Sequence, residues 1–152
     1  MEKACCFTGH RDIPEGLSGC LREKLREHIA CLHEKKKIGT FYAGGCVGFD
    51  TPEYRAAHPD VRLVIVIPYR NQSSSWTDDD RREYERIKAS ATEVVCLAER
   101  YYRGCWRQRN RYMVDRSSVC VCYLTREQGG TASTVKYALR NGLFVRNLAV
   151  EI

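Results

Sequence analysis

The sequence predicts an α/β fold in which a mostly parallel sheet of about six strands carries helices on both faces. The first observation is that short apolar, β-branched runs alternate with helical patterns along the whole chain, which is typical of parallel sheets. The second is that 152 residues, 43% of them hydrophobic, suffice to bury one core. We therefore expect a single domain over residues 1–152.

Six short runs of apolar and β-branched residues are the strand candidates. Parallel strands are joined by crossover connections, so the gaps between these runs should hold helices. The six candidates are residues 3–8, 39–43, 62–68, 93–97, 118–124 and 143–148.

Two gaps carry a clear helical pattern. After the third strand, residues 77–91 place Thr77 and Asp80 at the spacing of a capping box, with carboxylates in the first turn. After the first strand, apolar residues recur at helical spacing, namely Leu17, Leu21, Leu25, Ile29 and Leu32.

Two more helices are predicted near the end of the chain. One covers residues 106–117, and the other runs from Thr131, as its N-cap, to Arg140. By contrast, the connection between the second and third strands is short and is interrupted by Pro52 and Pro59. A parallel crossover normally takes about a dozen residues or more, so we expect only a short helix there.

Composition argues against a membrane-spanning chain and favours a cytoplasmic protein. Apolar runs such as Val64–Ile67 are far below membrane-spanning length, and the first residues lack the apolar core of a signal peptide. Nine cysteines without a C-x-x-C pair argue against a paired-cysteine metal site, and we predict no metal or cofactor. Most cysteines are interpreted as buried strand residues, whereas Cys46 and Cys105 are interpreted as loop residues to test for reactivity.

The net charge of +6 is unevenly distributed. An arginine cluster can hold phosphates or nucleic acid, but arginines are also common on solvated helix faces. Both interpretations stay open for the cluster of Arg100, Arg103, Arg107, Arg109, Arg111 and Arg116.

Two glycine-rich loops follow predicted strands, at the edge where open parallel sheets bind ligands. The first contains Gly44, Gly45 and Gly48, and the second contains Gly129 and Gly130. Small residues at strand-to-helix junctions let backbone N–H groups face an anion. Neither loop spells G-x-G-x-x-G or the P-loop, which argues against a standard dinucleotide or NTPase site.

Polar side chains in other loops belong to the same edge. Arg11 is a bidentate donor that suits a phosphate or a carboxylate. Asp50 can hydrogen-bond a ribose hydroxyl or cap a helix. His10 is either a general base or, as we prefer, a ring bonded to loop backbone.

Five motifs in order strongly resemble the YpsA-like branch of the SLOG superfamily, named for the SMF/DprA and LOG proteins. They are CCFTGHR, GGCVGFDT, PYRNQSSSW, RGCWRQRNRYMVDRS and GGTASTVKYA. The resemblance implies a Rossmann-like three-layer sandwich that binds, senses or processes nucleotide-derived ligands. Carried over motif by motif, it implies one pocket lined by Thr8, Gly9, Arg11, Gly44, Gly45, Gly48, Asp50, Arg70, Trp76, Asn110, Asp115, Arg116, Gly129, Gly130, Thr131 and Thr134.

One departure from the superfamily bears on catalysis. The LOG enzymes of the superfamily release a base from a nucleoside monophosphate. Their sequences resemble the pattern P-G-G-x-G-T-x-x-E, in which the Glu is catalytic. Here the run is QGGTAST, with Thr134 in place of that Glu. A hydroxyl can hold a phosphate but cannot stabilise an oxocarbenium ion as a carboxylate does, which weakens the hydrolase interpretation.

The leading hypothesis is a domain that binds or senses a nucleotide-derived ligand. Glycine loops and helix N-termini hold its phosphate, Arg11 and Arg116 neutralise that phosphate, and Trp76 or Tyr69 stacks on its base.

Two alternatives are kept. The first is a nucleoside monophosphate N-glycosidase, or phosphoribohydrolase, that uses Asp50 or Asp115 in place of the missing Glu. The second is single-stranded nucleic-acid binding through the arginine cluster. A homodimer formed at an exposed sheet edge is a further expectation.

Overall fold

The computed structural model of this chain describes residues 3–9, 16, 18–44 and 57–151. Six strands lie within one residue of the predicted runs at either end, so the strand predictions are confirmed. They are β1 (Ala4–Gly9), β2 (Thr40–Ala43), β3 (Arg62–Ile67), β4 (Glu93–Cys96), β5 (Val119–Tyr123) and β6 (Phe144–Asn147).

The six strands form one sheet with the order β4-β3-β2-β1-β5-β6, and every neighbouring pair is parallel. β1 lies in the middle, with Cys6 opposite Tyr42 of β2 and opposite Cys120 of β5. The chain adds strands on one side of β1 and then crosses to the other side. The strand order therefore reverses between β1 and β5, where sheets of this kind place their ligands.

Four longer helices are present in the described part of the chain. The predicted cap of the second one is confirmed, because the Asp80 backbone N–H donates to Thr77 Oγ1 at 3.2 Å. The helices are α1 (Ser18–Glu34), α2 (Asp78–Ser90), α3 (Cys105–Asp115) and α4 (Gly130–Arg140), and a 3-10 turn follows at Leu148–Val150.

Alternation along the strands produces a core on each face of the sheet. In β1, Cys5 and Phe7 face one core and Cys6 faces the other, as the period of two requires. The first core takes apolar residues from α1 and α2, including Ile29 and Ile87. The second takes residues from α3 and α4, including Met113. Helices thus cover both faces, and the predicted α/β fold is confirmed.

The helices α3 and α4 begin earlier than the sequence predicts, and α3 ends at Asp115 instead of residue 117. Thr131 is not the N-cap of α4, because Gly129 takes that position and its carbonyl accepts from Ser133 N at 3.0 Å. Cys105 is not in a loop. It is the first residue of α3, since Gln108 N donates to the Gly104 carbonyl, and its side chain is fully buried.

The cysteine interpretation holds for four of the strand cysteines, Cys5, Cys6, Cys120 and Cys122, which are buried. It fails for Cys96, which is exposed because β4 is an edge strand. Burial raises the pKa of the Cys122 thiol to about 12, which suits an inert core residue. Cys46 and the short helix expected near Pro52 lie outside the described residues.

Across the described ranges, no helix combines the length and the apolar character needed to cross a bilayer.

Candidate functional site

A cavity of about 250 Å³ lies between the amino-terminal halves of α3 and α4. Both helices follow strands of a parallel sheet, so they begin at its carboxyl edge. The α3 wall consists of Trp106, Arg107, Asn110 and Arg111. The α4 wall consists of Gly129, Gly130, Ser133, Thr134 and Tyr137.

The amino end of α4 is built to receive an anion. Its N-cap residue, Gly129, has φ 103°, a left-handed conformation that favours glycine, and it provides no side-chain cap. No acidic residue lies in the first turn. The first backbone N–H groups of the helix therefore lack the side-chain acceptor that usually satisfies them, and the helix dipole adds positive potential.

Thr134 strengthens the same turn without facing the cavity as a free hydroxyl. Its side chain is buried, and Oγ1 donates to the Gly130 carbonyl at 2.8 Å. Thr131 is buried as well. Ser133 is exposed and lines the cavity.

Two arginines bring positive charge to the opposite wall. Arg107 is exposed, and neither it nor Arg111 forms an ion pair with a carboxylate in the described part of the chain. The Arg111 guanidinium lies 4.6 Å from the centre of the Tyr137 ring, a cation–π contact that positions it without neutralising it. Trp106 adds a half-buried aromatic surface.

A hydrogen bond between Tyr137 and Asp115 links the two helices beyond the cavity. The Tyr137 hydroxyl donates to Asp115 Oδ1 at 2.6 Å. This bond to the carboxylate raises the pKa of the tyrosine above its ordinary value, because only the neutral hydroxyl has a proton to donate to it. The bond occupies Asp115 Oδ1 and holds the carboxylate against α4.

A buried arginine connects α3 to the first glycine loop. Arg109 is only 7% exposed, donates from Nη1 to the Gly44 carbonyl at 2.8 Å and from Nε to Asn110 Oδ1 at 2.8 Å. Its guanidinium also lies 5.3 Å from the Trp106 ring. Arg109 therefore fixes both Asn110 and Trp106, two residues of the cavity wall, relative to the end of β2.

The structure brings only some of the predicted site residues to this cavity. Asn110, Gly129, Gly130 and Thr134 are among its lining residues, and Thr131 lies in the same turn. Thr8 and Gly9 end β1, opposite Cys122 and Tyr123 of β5. The Gly44 carbonyl accepts the hydrogen bond from Arg109. Arg11, Gly45, Gly48 and Asp50 lie outside the described residues.

Other predicted residues lie elsewhere. Arg116 follows α3 at its carboxyl end, where its guanidinium stacks 3.5 Å from the centre of the Tyr112 ring. Trp76 packs against Tyr84 in the core between the sheet and α1–α2, on the other face of the sheet. Neither joins the α3–α4 cavity.

Arg70 is occupied by an ion pair. Its Nε and Nη2 donate to the two Glu99 carboxylate oxygens, each at 2.9 Å, and this pairing raises the pKa of the guanidinium. Tyr69, the other residue considered for base stacking, packs edge-on against Tyr101 and Trp106. Trp106 thus lies between Tyr69 and the cavity.

Sequence reasoning missed several cavity residues, although a signal for them was available. They recur three or four residues apart along one face of each helix, and such residues are neighbours on a helix surface. The residues missed altogether are Trp106, Ser133 and Tyr137, whereas Arg107 and Arg111 were considered only as members of the arginine cluster.

Comparison with known proteins places this architecture in a family. The YpsA family model, described as the YspA SLOG family, matches residues 14–143. The chain belongs to the YpsA SLOG family. The match spans α1 through the last helix, and so includes both walls of the cavity.

Two curated relatives of this YpsA-family chain come from bacilli. An uncharacterised prophage-derived protein, YoqJ, of Bacillus subtilis is 25% identical over 141 residues, 81% of this chain and 82% of the relative. A UPF0398 protein of Bacillus cereus is 25% identical over 146 residues, 85% of this chain and 78% of the relative.

Solved structures agree on the fold. DNA processing protein A of Helicobacter pylori, described for its single-stranded DNA binding mode, matches with a TM-score of 0.63 at 17% identity, over 94% of this chain and 64% of that one. DNA processing protein A of Streptococcus pneumoniae matches with a TM-score of 0.62 at 15% identity, over 95% of this chain and 49% of that one. The YpsA-family chain thus spans less than two thirds of either protein, and these likenesses support its Rossmann-like α/β architecture.

Proposed function

We propose that this YpsA-family protein binds a nucleotide-derived ligand through its phosphate, between the amino end of α4 and the arginines of α3. The observation that carries the proposal is the convergence of three groups on one cavity. Those groups are the uncapped start of α4 at Gly129 and Gly130, the cations Arg107 and Arg111, and the aromatic wall of Trp106.

The chemistry of these groups suits a phosphate better than a neutral ligand. Backbone N–H groups at a helix start donate toward an anion, and the helix dipole adds to the attraction. Arg107 and Arg111 would supply charge-assisted hydrogen bonds, which are about twice as strong as neutral ones. Neither arginine is paired with a carboxylate of the described residues. Ligand binding therefore does not require an ion pair between these residues to be broken.

The size of the cavity limits what it can enclose. A volume of about 250 Å³ is below the range of roughly 300–1,000 Å³ that is typical of whole ligand pockets. We therefore assign to it the phosphate and the adjoining sugar. The base would extend along Trp106 toward the carboxyl ends of β1 and β2, where the first glycine loop begins.

The test is calorimetric titration with AMP, ADP, ADP-ribose and inorganic phosphate. Arg107→Gln and Arg111→Gln should each weaken nucleotide binding by about ten-fold or more, because a hydrogen bond to a charged group contributes roughly 1.5–3 kcal/mol. Arg103→Gln is the matched control, since Arg103 is an exposed arginine just before α3 that does not line the cavity. Equal losses in all three variants, or no binding by the wild type, would refute the proposal.

Single-stranded nucleic acid is the second candidate, favoured by a separate observation. The loop before α3 exposes two aromatic rings, Tyr101 at 63% and Tyr102 at 43%, flanked by Arg100 and Arg103. Aromatic side chains interleaved with cations are the usual platform for single strands. The solved Helicobacter pylori neighbour is described as binding single-stranded DNA.

Salt dependence separates the two candidates. Binding of an oligonucleotide across several phosphates should weaken steeply with salt and should be lost in a Tyr101→Ala, Arg103→Gln double variant. Binding of a mononucleotide should depend weakly on salt and survive that double variant. If the double variant loses neither ligand, this loop is not a nucleic-acid platform.

A further inference from the structure

A second cavity, of about 550 Å³, lies at the opposite edge of the sheet. Its lining includes Lys3, just before β1, and the first residues of two other strands, Val119 of β5 and Phe144 of β6. The second half of α1 forms the facing wall. The α3–α4 cavity lies on the other face of the sheet and at its carboxyl edge, so the two cavities are separate.

The floor of this amino-edge cavity is apolar. Leu32 and Ile38 are buried, and Val119 is half-buried. Phe144 keeps 56% of its surface exposed although it lies in the sheet. An exposed phenyl ring beside buried aliphatic side chains is a surface that an apolar ligand can cover with a gain in free energy.

The rim is charged, and its carboxylates are already paired. Glu27 accepts from Lys24 Nζ at 3.4 Å. Glu151 places both carboxylate oxygens on His28 Nε2, at 2.9 and 3.1 Å. Against these two carboxylates the rim carries three further cations, Lys3, Lys36 and Arg146.

Three cations on the rim have no carboxylate partner among the described residues. Lys3 and Lys36 form no ion pair there, and the Arg146 guanidinium lies over the Phe144 ring, 4.7 Å from its centre. Unpaired cations at the mouth of an apolar cavity match a ligand with one anionic end and an apolar body.

We propose that the amino-edge cavity binds a small monocarboxylate with an aliphatic or aromatic body. The body packs on Leu32, Val119 and Phe144, and the carboxylate lies between Lys36 and Arg146. A volume of about 550 Å³ is within the range of pockets that enclose whole small molecules. This proposal is independent of nucleotide binding, because none of its residues lines the α3–α4 cavity.

The test is titration with octanoate and 1-naphthoate, followed by amide chemical shifts in NMR spectra. Octanamide is the neutral counterpart of octanoate and should bind at least ten-fold more weakly. The largest shifts should fall at Lys36, Val119 and Phe144 and not at the start of α4. Shifts centred on α4, or equal affinity for the acid and the amide, would overturn the proposal.

Matched variants locate the site. Lys36→Gln should weaken octanoate about ten-fold, whereas Lys35→Gln, which removes an exposed neighbouring charge outside the lining, should not. Cys31→Trp should place an indole ring in the cavity and weaken octanoate binding, while Cys20→Trp, at another exposed cysteine of α1, should leave it unchanged. If Cys31→Trp folds and binds octanoate as tightly as the wild type, the ligand is not in this cavity. Anionic phospholipid vesicles are the last ligand to be tested. Binding to vesicles without binding to octanoate would indicate a membrane surface and refute a small-molecule site.

Discussion

The Arg109 guanidinium donates a 2.8 Å hydrogen bond to the Gly44 carbonyl, which lies 65 residues earlier in the chain. The bond joins the middle of α3 to the first residue after β2. Because the arginine is 7% exposed, it is held by packing as well as by hydrogen bonds. This contact sets the position of the α3 wall relative to the carboxyl edge of the sheet.

Gly44→Ala should destabilise the protein by about 1–3 kcal/mol, as overpacking in a well-packed region does. A Cβ at position 44 would lie 2.3 Å from Arg109 Nη1 and 2.7 Å from its Cζ, so the arginine would have to move and lose its bond. Urea unfolding measures the change. Gly39→Ala is the control, since no atom of the described residues lies within 4 Å of a Cβ there. Equal stability of both variants would show that Arg109 moves aside without cost.

Ser133→Asp should weaken phosphate-bearing ligands by about ten-fold or more. Ser133 is exposed in the first turn of α4, at the cavity. A carboxylate there would take up the positive potential of the helix start and repel a phosphate. The Asn side chain has nearly the same shape as Asp but no charge. Ser133→Asn should therefore bind phosphate-bearing ligands almost as tightly as the wild type does. If the Asp and Asn variants bind alike by calorimetry, the phosphate does not lie at this turn.

Asp115→Asn should lower the pKa of Tyr137 toward its ordinary value. In the folded protein the bond to Asp115 raises the Tyr137 pKa above its ordinary value of 10.0, so the bond stabilises the fold below about pH 10 and is lost as the pH rises through the folded-state pKa. Titration of the Tyr137 ring carbon by ¹³C NMR measures the change, with Tyr137→Phe used to assign the signal. An unchanged titration in Asp115→Asn would contradict the assigned cause.

Thr77→Ala should cost about 1 kcal/mol of stability, the usual contribution of an N-cap side chain. The mutation removes the acceptor of the 3.2 Å bond from the Asp80 N–H at the start of α2. Thr77→Ser keeps the hydroxyl and should restore most of the loss. Thermal unfolding of the three proteins decides, and a Ser variant as unstable as the Ala variant would show that the hydroxyl is not what matters.

The fold could be predicted from the sequence because each signal was local. Alternating β-branched runs gave six strands, and the capping residue Thr77 marked the start of α2. The N-cap of α4 was placed two residues too late, at Thr131 instead of Gly129, because a glycine cap depends on a positive-φ backbone that composition does not reveal. Cys105 was assigned to a loop because the helix was predicted to begin one residue later, at residue 106.

The site was harder to predict, because it depends on which helix faces meet. The second glycine loop could be located because a strand-to-helix junction has a local signature. Gly129 and Gly130 line the cavity, and their role in ligand binding stays a prediction. Arg107 and Arg111 were seen only as part of a charged cluster, and nothing local distinguishes them from Arg116, which stacks on Tyr112 at the far end of α3. Trp76 was expected at the ligand, but its partly buried ring packs against Tyr84 on the other face of the sheet.

If a ligand phosphate lies at the start of α4, the amide resonances of Gly130 and Thr131 are the most direct probe of it. Titration of ¹⁵N-labelled protein with ADP should shift these two amides and the Arg107 and Arg111 side-chain resonances, with saturation at a common affinity. The same titration in Ser133→Asp should produce much smaller shifts. Saturable ADP binding that leaves the Gly130 and Thr131 amide shifts unchanged would show that the phosphate does not lie at the start of α4.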